Sequence, residues 1–140
     1  MENTITIQNL KNTGYRITKL RKAIFEILNF SKKPLSVPEI IKEIYKRDLS
    51  VNKTTVYREL KFLINANLVN EVDFGDGKKR YEIDEGRHHH HAVCVNCGAV
   101  EDIELKIDLS LDEKKIENET GFKVSQHTIE LFGLCQKCQH

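Results

Sequence analysis

Four cysteines arranged as two Cys-x-x-Cys pairs constrain this chain more than any other feature. The pairs are Cys94 with Cys97 and Cys135 with Cys138, separated by 37 residues, and they use every cysteine of the 140-residue sequence. A Cys-x-x-Cys turn holds two thiolates at a separation that a tetrahedral zinc ion can bridge, so two such turns complete a four-thiolate site. The alternative is two disulfides in a secreted protein, but no apolar signal segment opens the sequence. Because thiols stay reduced in the cytosol, the pattern predicts structural Zn²⁺ in a cytoplasmic protein.

A run of four histidines stands two residues before the first cysteine pair. If the run forms a strand, alternate residues face opposite sides. His89 and His91 then point one way, and His88 and His90 the other. One short strand could therefore serve two different metal sites, although a solvated polar strand is the alternative.

The charge of the chain is divided unevenly along its length. Residues 1–83 hold 16 Lys and Arg against 10 Asp and Glu, a net of +6, and residues 84–140 hold 6 against 11, a net of −5. A basic first half favours a polyanionic partner such as nucleic acid, and an acidic half rich in His and Cys favours cations. Chance asymmetry of solvated faces is the alternative. No stretch is long and apolar enough for a transmembrane helix, so no membrane partner is expected.

Three amphipathic helices are expected in the first half. Thr18 can cap a helix that runs to about Phe30, with apolar residues on one face. Ser36 and Glu39 form a capping box for a second helix. A third helix is expected to begin near Asn52, and Asn65-Ala66-Asn67 ends it.

A hairpin follows the third helix. Strands are expected around Leu68–Phe74 and Lys78–Ile83, joined by the turn Gly75-Asp76-Gly77. Three helices and a hairpin are the order of a winged helix-turn-helix, so residues 1–83 are predicted to be a DNA-binding domain. The cations Lys78-Lys79-Arg80 would lie at the tip of the wing.

The polar face of the third helix is suited to DNA. Hydroxyl, guanidinium and ammonium groups share this face and match phosphate and base-edge contacts in a major groove: Lys53, Thr54, Tyr57, Arg58 and Lys61. A solvated amphipathic helix would look similar, so the pattern favours DNA reading without requiring it.

Residues 84–140 are predicted to form a small second domain of mixed α and β structure. After a hinge at 84–87 we expect a strand through the histidines, a turn at Gly98 and a strand near Val100–Leu105. A helix is expected over about Ser110–Thr120, ended by Gly121, and then a final strand over Phe122–Phe132.

Several of these segments together resemble the ferric uptake regulator family of bacterial metal-dependent transcription factors. The matching segments cover nearly the whole chain and include the histidines placed before the first Cys-x-x-Cys pair: Gly14–Thr18, Thr54–Arg58, Tyr81-Glu82, His88–His91, Cys94–Gly98 and Gly121–Cys135. The resemblance implies a homodimer with an N-terminal winged helix and a C-terminal α/β dimerisation domain. It also implies repression from palindromic A·T-rich double-stranded DNA operators when a divalent metal is bound.

The resemblance assigns roles to individual residues. It implies structural zinc at the four cysteines and a regulatory site at Glu82, His89, His91 and Asp102. A third site, found in some members, would use His88, His90 and His127, with Asp108 as its carboxylate, or else Glu104 or Asp112. For DNA it adds Arg16 and Thr55 to the face of the third helix.

The chain departs from the family pattern at one ligand. Members commonly supply a histidine from the loop before the second capped helix, and Pro34 stands there. Two imidazoles and two carboxylates suit Fe²⁺ or Mn²⁺ as well as Zn²⁺. Iron or manganese sensing, in control of metal-homeostasis or peroxide-stress genes, is slightly favoured over a zinc-uptake regulator.

Two other classes of protein are weaker alternatives. A zinc enzyme would need an open coordination position and a nearby base, yet no HExxH, HxE…PCxxC or nucleophile-elbow motif occurs. A metal-buffering protein would explain the histidines but not the polar face of the third helix. A regulator without enzymatic activity is therefore expected.

Overall fold

The computed structural model describes residues 7–86 and 89–139 of the chain, which divides into two compact units, Met1–Arg87 and His88–His140. Over residues 7–86 the N-terminal unit contains four helices and a three-stranded antiparallel sheet. The helices are α1 (Ile7–Lys11), α2 (Lys19–Phe30), α3 (Val37–Tyr45) and α4 (Lys53–Asn65), and the strands are β1 (Leu35–Ser36), β2 (Val69–Asp73) and β3 (Lys79–Ile83).

The three predicted helix starts are confirmed, each by a side-chain hydrogen bond. The Thr18 hydroxyl accepts from the backbone N–H of Arg21 at 3.1 Å, and Asn52 Oδ1 accepts from the N–H of Thr55 at 2.8 Å. Glu39 Oε2 accepts from the N–H of Ser36 at 2.8 Å. These contacts satisfy donors that the first turn of a helix leaves without intrahelical partners.

The core of the N-terminal unit lies where α2, α3 and α4 meet the sheet. Ile24, Ile40 and Leu63 are fully buried, and Tyr81 of β3 packs in the same cluster. Burial of the apolar stripe of α4 turns its polar face outward, so packing alone sets which side chains this helix presents to solvent.

The sheet of this unit contains the predicted hairpin and one strand that was not predicted. Strands β2 and β3 pair in antiparallel register from Val69 with Ile83 to Asp73 with Lys79, and β1 adds to the other edge of β3. Neither β1, with two residues, nor α1, with five, is long enough to show a hydrophobic period.

The described part of the C-terminal unit contains a second three-stranded sheet and one α-helix. Its elements are β4 (His90–Cys94), β5 (Val100–Ile103), α5 (Ser110–Thr120), β6 (Glu130–Gly133) and a final 3₁₀ turn (Gln136–Cys138). Strand β4 is central, antiparallel to β5 and parallel to β6. The predicted helix and its stop are confirmed, since Gly121 adopts the left-handed conformation with φ of 73°.

Two strand predictions for this unit are wrong in extent. The final strand was expected over Phe122–Phe132 but begins only at Glu130. Side chains of α5 instead accept from two backbone N–H groups at the start of the intervening segment. Thr120 Oγ1 accepts from the Phe122 N–H and Glu117 Oε1 from the Val124 N–H, both at 3.1 Å. The strand through the histidines begins at His90, so His89 precedes it, and His88 lies outside the described residues. Within the described ranges, no helix has the length and apolar character needed to cross a membrane.

Candidate functional site

The four cysteines lie together at one end of the C-terminal sheet. Cys94 ends β4, and Cys97 lies in the following turn, where the Gly98 N–H donates to the Cys94 carbonyl at 2.9 Å. Parallel pairing of β4 with β6 delivers the second pair beside the first. The four sulfurs lie within 4.8 Å of one another and form no disulfide.

The spacing of the sulfurs fits a tetrahedral metal. Sγ of Cys97 and Sγ of Cys135 are 3.7 Å apart. A tetrahedron with zinc–sulfur bonds of about 2.3 Å has edges of about 3.8 Å, so the cluster matches the size of a four-thiolate zinc site. The predicted four-cysteine cluster is thus confirmed, and its geometry is consistent with structural zinc.

Two of the four thiols have pKa values shifted in opposite directions. Backbone N–H groups of Cys135 and Cys97 direct hydrogen bonds to the Cys94 sulfur and lower its pKa to about 6. At Cys138 a contact with the Asn96 side chain lowers the pKa, but contacts with the Cys135 and Cys97 side chains outweigh it and raise the pKa to about 11. The raised pKa favours the protonated thiol of Cys138, and a cation bound among the sulfurs would favour its thiolate instead.

A second cluster joins two imidazoles and a carboxylate. His91 is paired with Asp102 across β4 and β5, and Nε2 of His91 lies 3.7 Å from Oδ1 of Asp102. The rings of His89 and His91 meet edge to face with centroids 4.9 Å apart. One ligand atom from each of these three residues lies within 4.8 Å of the others, a donor set consistent with a regulatory metal.

The remaining histidines have separate surroundings. His90 is buried, and its Nδ1 lies 3.1 Å from the carbonyl oxygen of Ile129. Nδ1 of His127 lies 2.6 Å from Oε1 of Glu113, a partner that no sequence motif marks. Among the described residues, His127 belongs to no cluster of three candidate ligands.

Two further residues predicted as ligands, Asp108 and Glu82, lie just before α5 and within β3. Asp108 Oδ1 accepts from the Ser110 N–H at 2.9 Å at the start of α5, and the Ser110 hydroxyl and N–H lower the pKa of this carboxyl. Glu82 is half-buried in β3 of the N-terminal unit, opposite Asn70 of β2.

The outer face of α4 contains the side chains predicted for DNA contact. Five of them are exposed: Lys53, Thr54, Tyr57, Arg58 and Lys61. Thr55 differs, because its hydroxyl donates to Oδ1 of Asn52 at 2.9 Å and so belongs to the helix cap. Arg16 is exposed in the loop before α2.

The tip of the wing is less cationic than its sequence suggests. Nη2 of Arg80 lies 2.8 Å from Oδ2 of Asp76, and this hydrogen-bonded partner lowers the pKa of Asp76 to about 2. Lys79 forms a 3.1 Å ion pair with Glu71. Both cations are therefore partly neutralised within the hairpin.

Comparison with known proteins identifies the family. Residues 12–132 match the ferric uptake regulator family. The chain is 36% identical to the peroxide operon regulator of Bacillus subtilis over 132 residues, covering 94% of this chain and 90% of that protein. It is 34% identical to the ferric uptake regulation protein of Cupriavidus metallidurans over 135 residues, covering 94% of each.

Solved structures agree with the sequence comparison. The Helicobacter pylori ferric uptake regulator, described as having three functional metal binding sites, superposes with a TM-score of 0.73 at 26% identity, covering 95% of this chain and 88% of that one. Proteins of this family are DNA-binding, metal-dependent regulators and not enzymes, which confirms the expectation of a regulator. With its four-cysteine cluster and its match over most of its length, this chain belongs to the ferric uptake regulator family of metal-responsive transcriptional regulators.

Proposed function

We propose that this protein is a cytoplasmic repressor that binds palindromic A·T-rich operators as a metal-loaded homodimer. Its targets would be metal-homeostasis or peroxide-stress genes. One observation carries the proposal: the cluster of His89, His91 and Asp102 is distinct from the four-thiol cluster. A closed four-thiolate site suits a structural ion, whereas imidazole and carboxylate ligands suit an ion whose occupancy varies.

Glu82 is proposed as the ligand that joins the regulatory site to the DNA-binding unit. Its place in β3, the second strand of the wing, supports this role, as does the family resemblance. A ligand set drawn from both units would restrict the angle between them. Bound metal would favour one angle between the units over another. It can change operator affinity only by as much as the affinity for the metal differs between those two angles.

Pro34 bears on how strongly the site can switch. It is fully buried just before β1, where the family commonly supplies a histidine ligand. Because that loop has no ligand here, coupling depends on Glu82. We therefore propose weaker switching than in members with the additional histidine.

The identity of the regulatory metal follows from the proposed ligand set. Two imidazoles and two carboxylates accept Fe²⁺ or Mn²⁺, which we favour, and zinc sensing is the alternative. Every cysteine of the chain lies in the four-thiol cluster, so no thiolate remains to favour zinc at the second site. The similar proteins include both a ferric uptake regulation protein and a peroxide operon regulator. The proposed function therefore includes both iron-responsive and peroxide-responsive control.

The exposed face of α4 is proposed to read the operator. Tyr57 and Arg58 would contact base edges, and Lys61 and Arg16 would contact mainly phosphates. Lys53 and Thr54, at the start of the helix, would add contacts to the DNA backbone.

The protein lacking metal at its second site is tested on a palindromic A·T-rich duplex and on a random duplex, with and without Mn²⁺. Metal-dependent preference for the palindrome supports the proposal. Metal uptake without any change in DNA binding would favour a metal buffer.

A third metal site is proposed around His127, with His88 and His90 as further ligands. Glu113 is a better candidate than Asp108 for its carboxylate, because Glu113 already contacts His127 whereas Asp108 accepts a hydrogen bond from the Ser110 N–H.

A further inference from the structure

The guanidinium of Arg21 contacts two other segments of the N-terminal unit at once. This residue lies in the first turn of α2, and its side chain is only 15% exposed. Nε donates to Oε2 of Glu59 at 2.7 Å, and Nη2 donates to Oε1 of the same carboxylate at 3.4 Å. Nη1 donates to the main-chain carbonyl of Arg16 at 2.7 Å. A single side chain thus joins the loop before α2 to helix α4.

An aromatic pair completes the same connection. Cζ of Arg21 lies 3.6 Å from the centroid of the Phe62 ring, within the range of a cation–π contact. The ring of Tyr15 meets Phe62 edge to face, with centroids 5.0 Å apart and planes at 88°. Glu59 and Phe62 are three residues apart on α4, so one face of this helix provides both contacts.

The segments that Arg21 connects are those that present the DNA-contact residues. Arg16 and Tyr15 are exposed in the loop, and Arg58, next to Glu59, is exposed on the outer face of α4. The contacts of Arg21 with Arg16, Glu59 and Phe62 therefore set the position of the Arg16 backbone relative to α4.

A lysine could keep the charge of this residue but not its contacts. The guanidinium is planar and offers a fixed fork of donors, whereas an ammonium group is a compact point charge. The fork matches the two oxygens of Glu59, and the planar group can stack on an aromatic ring.

We propose that Arg21 is a positioning residue that holds the Tyr15–Arg16 loop against α4, so that Arg16 and the reading helix engage DNA as one surface. This inference rests on the proposed function of α4 in DNA reading. Arg21 itself is mostly buried and is not assigned a DNA contact.

The test is a double-mutant cycle with Arg21→Lys and Arg16→Ala, in the full-length metal-loaded protein on an A·T-rich palindrome. Arg16→Ala keeps the main-chain carbonyl that Arg21 contacts, and Arg21→Lys keeps the net charge. We expect Arg21→Lys to weaken operator binding about tenfold in the parent background and less than about twofold in the Arg16→Ala background. Lys22→Arg, an exposed charge-conserving change in the same turn, is the matched control and should leave affinity unchanged.

Purely structural damage would weaken binding by the same factor in both backgrounds, and that additivity would overturn the proposal. Operator binding by Arg21→Lys equal to that of the unaltered protein would overturn it as well. If Arg21→Lys no longer unfolds cooperatively, Phe62→Leu replaces it in the same cycle. Phe62→Leu removes the aromatic face beneath Arg21 but leaves the hydrogen bonds between Arg21 and Glu59. Failure of the unaltered protein to bind the operator would instead refute the proposed function, and with it this role for Arg21.

Discussion

Replacement of Cys97 by serine should unfold the C-terminal unit while leaving the N-terminal unit folded. Apart from Cys94, the described residues of the C-terminal unit include no buried apolar side chain, so hydrophobic burial within it contributes little. Structural zinc supplies about 10–16 kcal/mol in small sites. One of four thiolates then corresponds to about 2.5–4 kcal/mol, or roughly two to three orders of magnitude in zinc affinity. That loss is a large share of the stability of a typical domain, about 5–15 kcal/mol.

The assay for Cys97→Ser combines zinc analysis, calorimetry and sedimentation. We expect loss of the bound zinc, loss of one of two thermal transitions and loss of the dimer, with the other transition unchanged. Val95→Ser is the matched control, since this exposed side chain lies in the same turn and its backbone bond to Gly133 is kept. Full zinc content and an unaltered C-terminal transition in Cys97→Ser would refute the reasoning, as would a folded, metal-free dimer of the parent protein.

Three further outcomes are expected. Arg58→Ala should weaken operator binding by roughly 1–3 kcal/mol but leave binding to a random duplex nearly unchanged. Lys61→Ala should weaken binding to both duplexes and reduce by about one the slope of log affinity against log salt concentration. Equal losses on both duplexes for Arg58→Ala would reassign that residue to phosphate contact. His89→Ala should abolish metal-dependent operator binding and retain the four-cysteine zinc, and His88→Ala should have a smaller effect. If both variants respond to metal as the parent protein does, the cluster of His89, His91 and Asp102 is not the sensor. Ile24→Ala should lower the free energy of unfolding of the N-terminal unit by about 2–5 kcal/mol in urea titrations, because the side chain is fully buried.

Much of the fold could be predicted because local chemistry decides it. Thr18 and Asn52 cap helices with their own side chains, and the apolar stripe of α4 leaves Tyr57 exposed. The spacing of the cysteines is also a local signal, because each Cys-x-x-Cys turn brings two thiolates together before any tertiary structure is considered.

Two features that escaped prediction depend on contacts between distant segments. Glu113 contacts His127 across 14 residues, and Arg21 contacts Glu59 across 38, and neither pair is marked by a motif. The segment after Gly121 was predicted as a strand, but its first N–H donors, those of Phe122 and Val124, donate to side chains of α5. Hydrogen bonds from the end of the preceding helix thus compete with strand formation there, and β propensity alone does not indicate such a competition.

The most direct test of metal-responsive DNA binding is a titration of the protein that retains zinc at its four cysteines but lacks metal at the second site. Fe²⁺ under anaerobic conditions, Mn²⁺ and Zn²⁺ are added separately, and affinity for an A·T-rich palindromic duplex is measured at fixed salt. Operator affinity should rise and saturate near one added ion per chain, with Fe²⁺ or Mn²⁺ effective, and the rise should be absent in His89→Ala. Equal operator affinity with and without added metal would contradict the account.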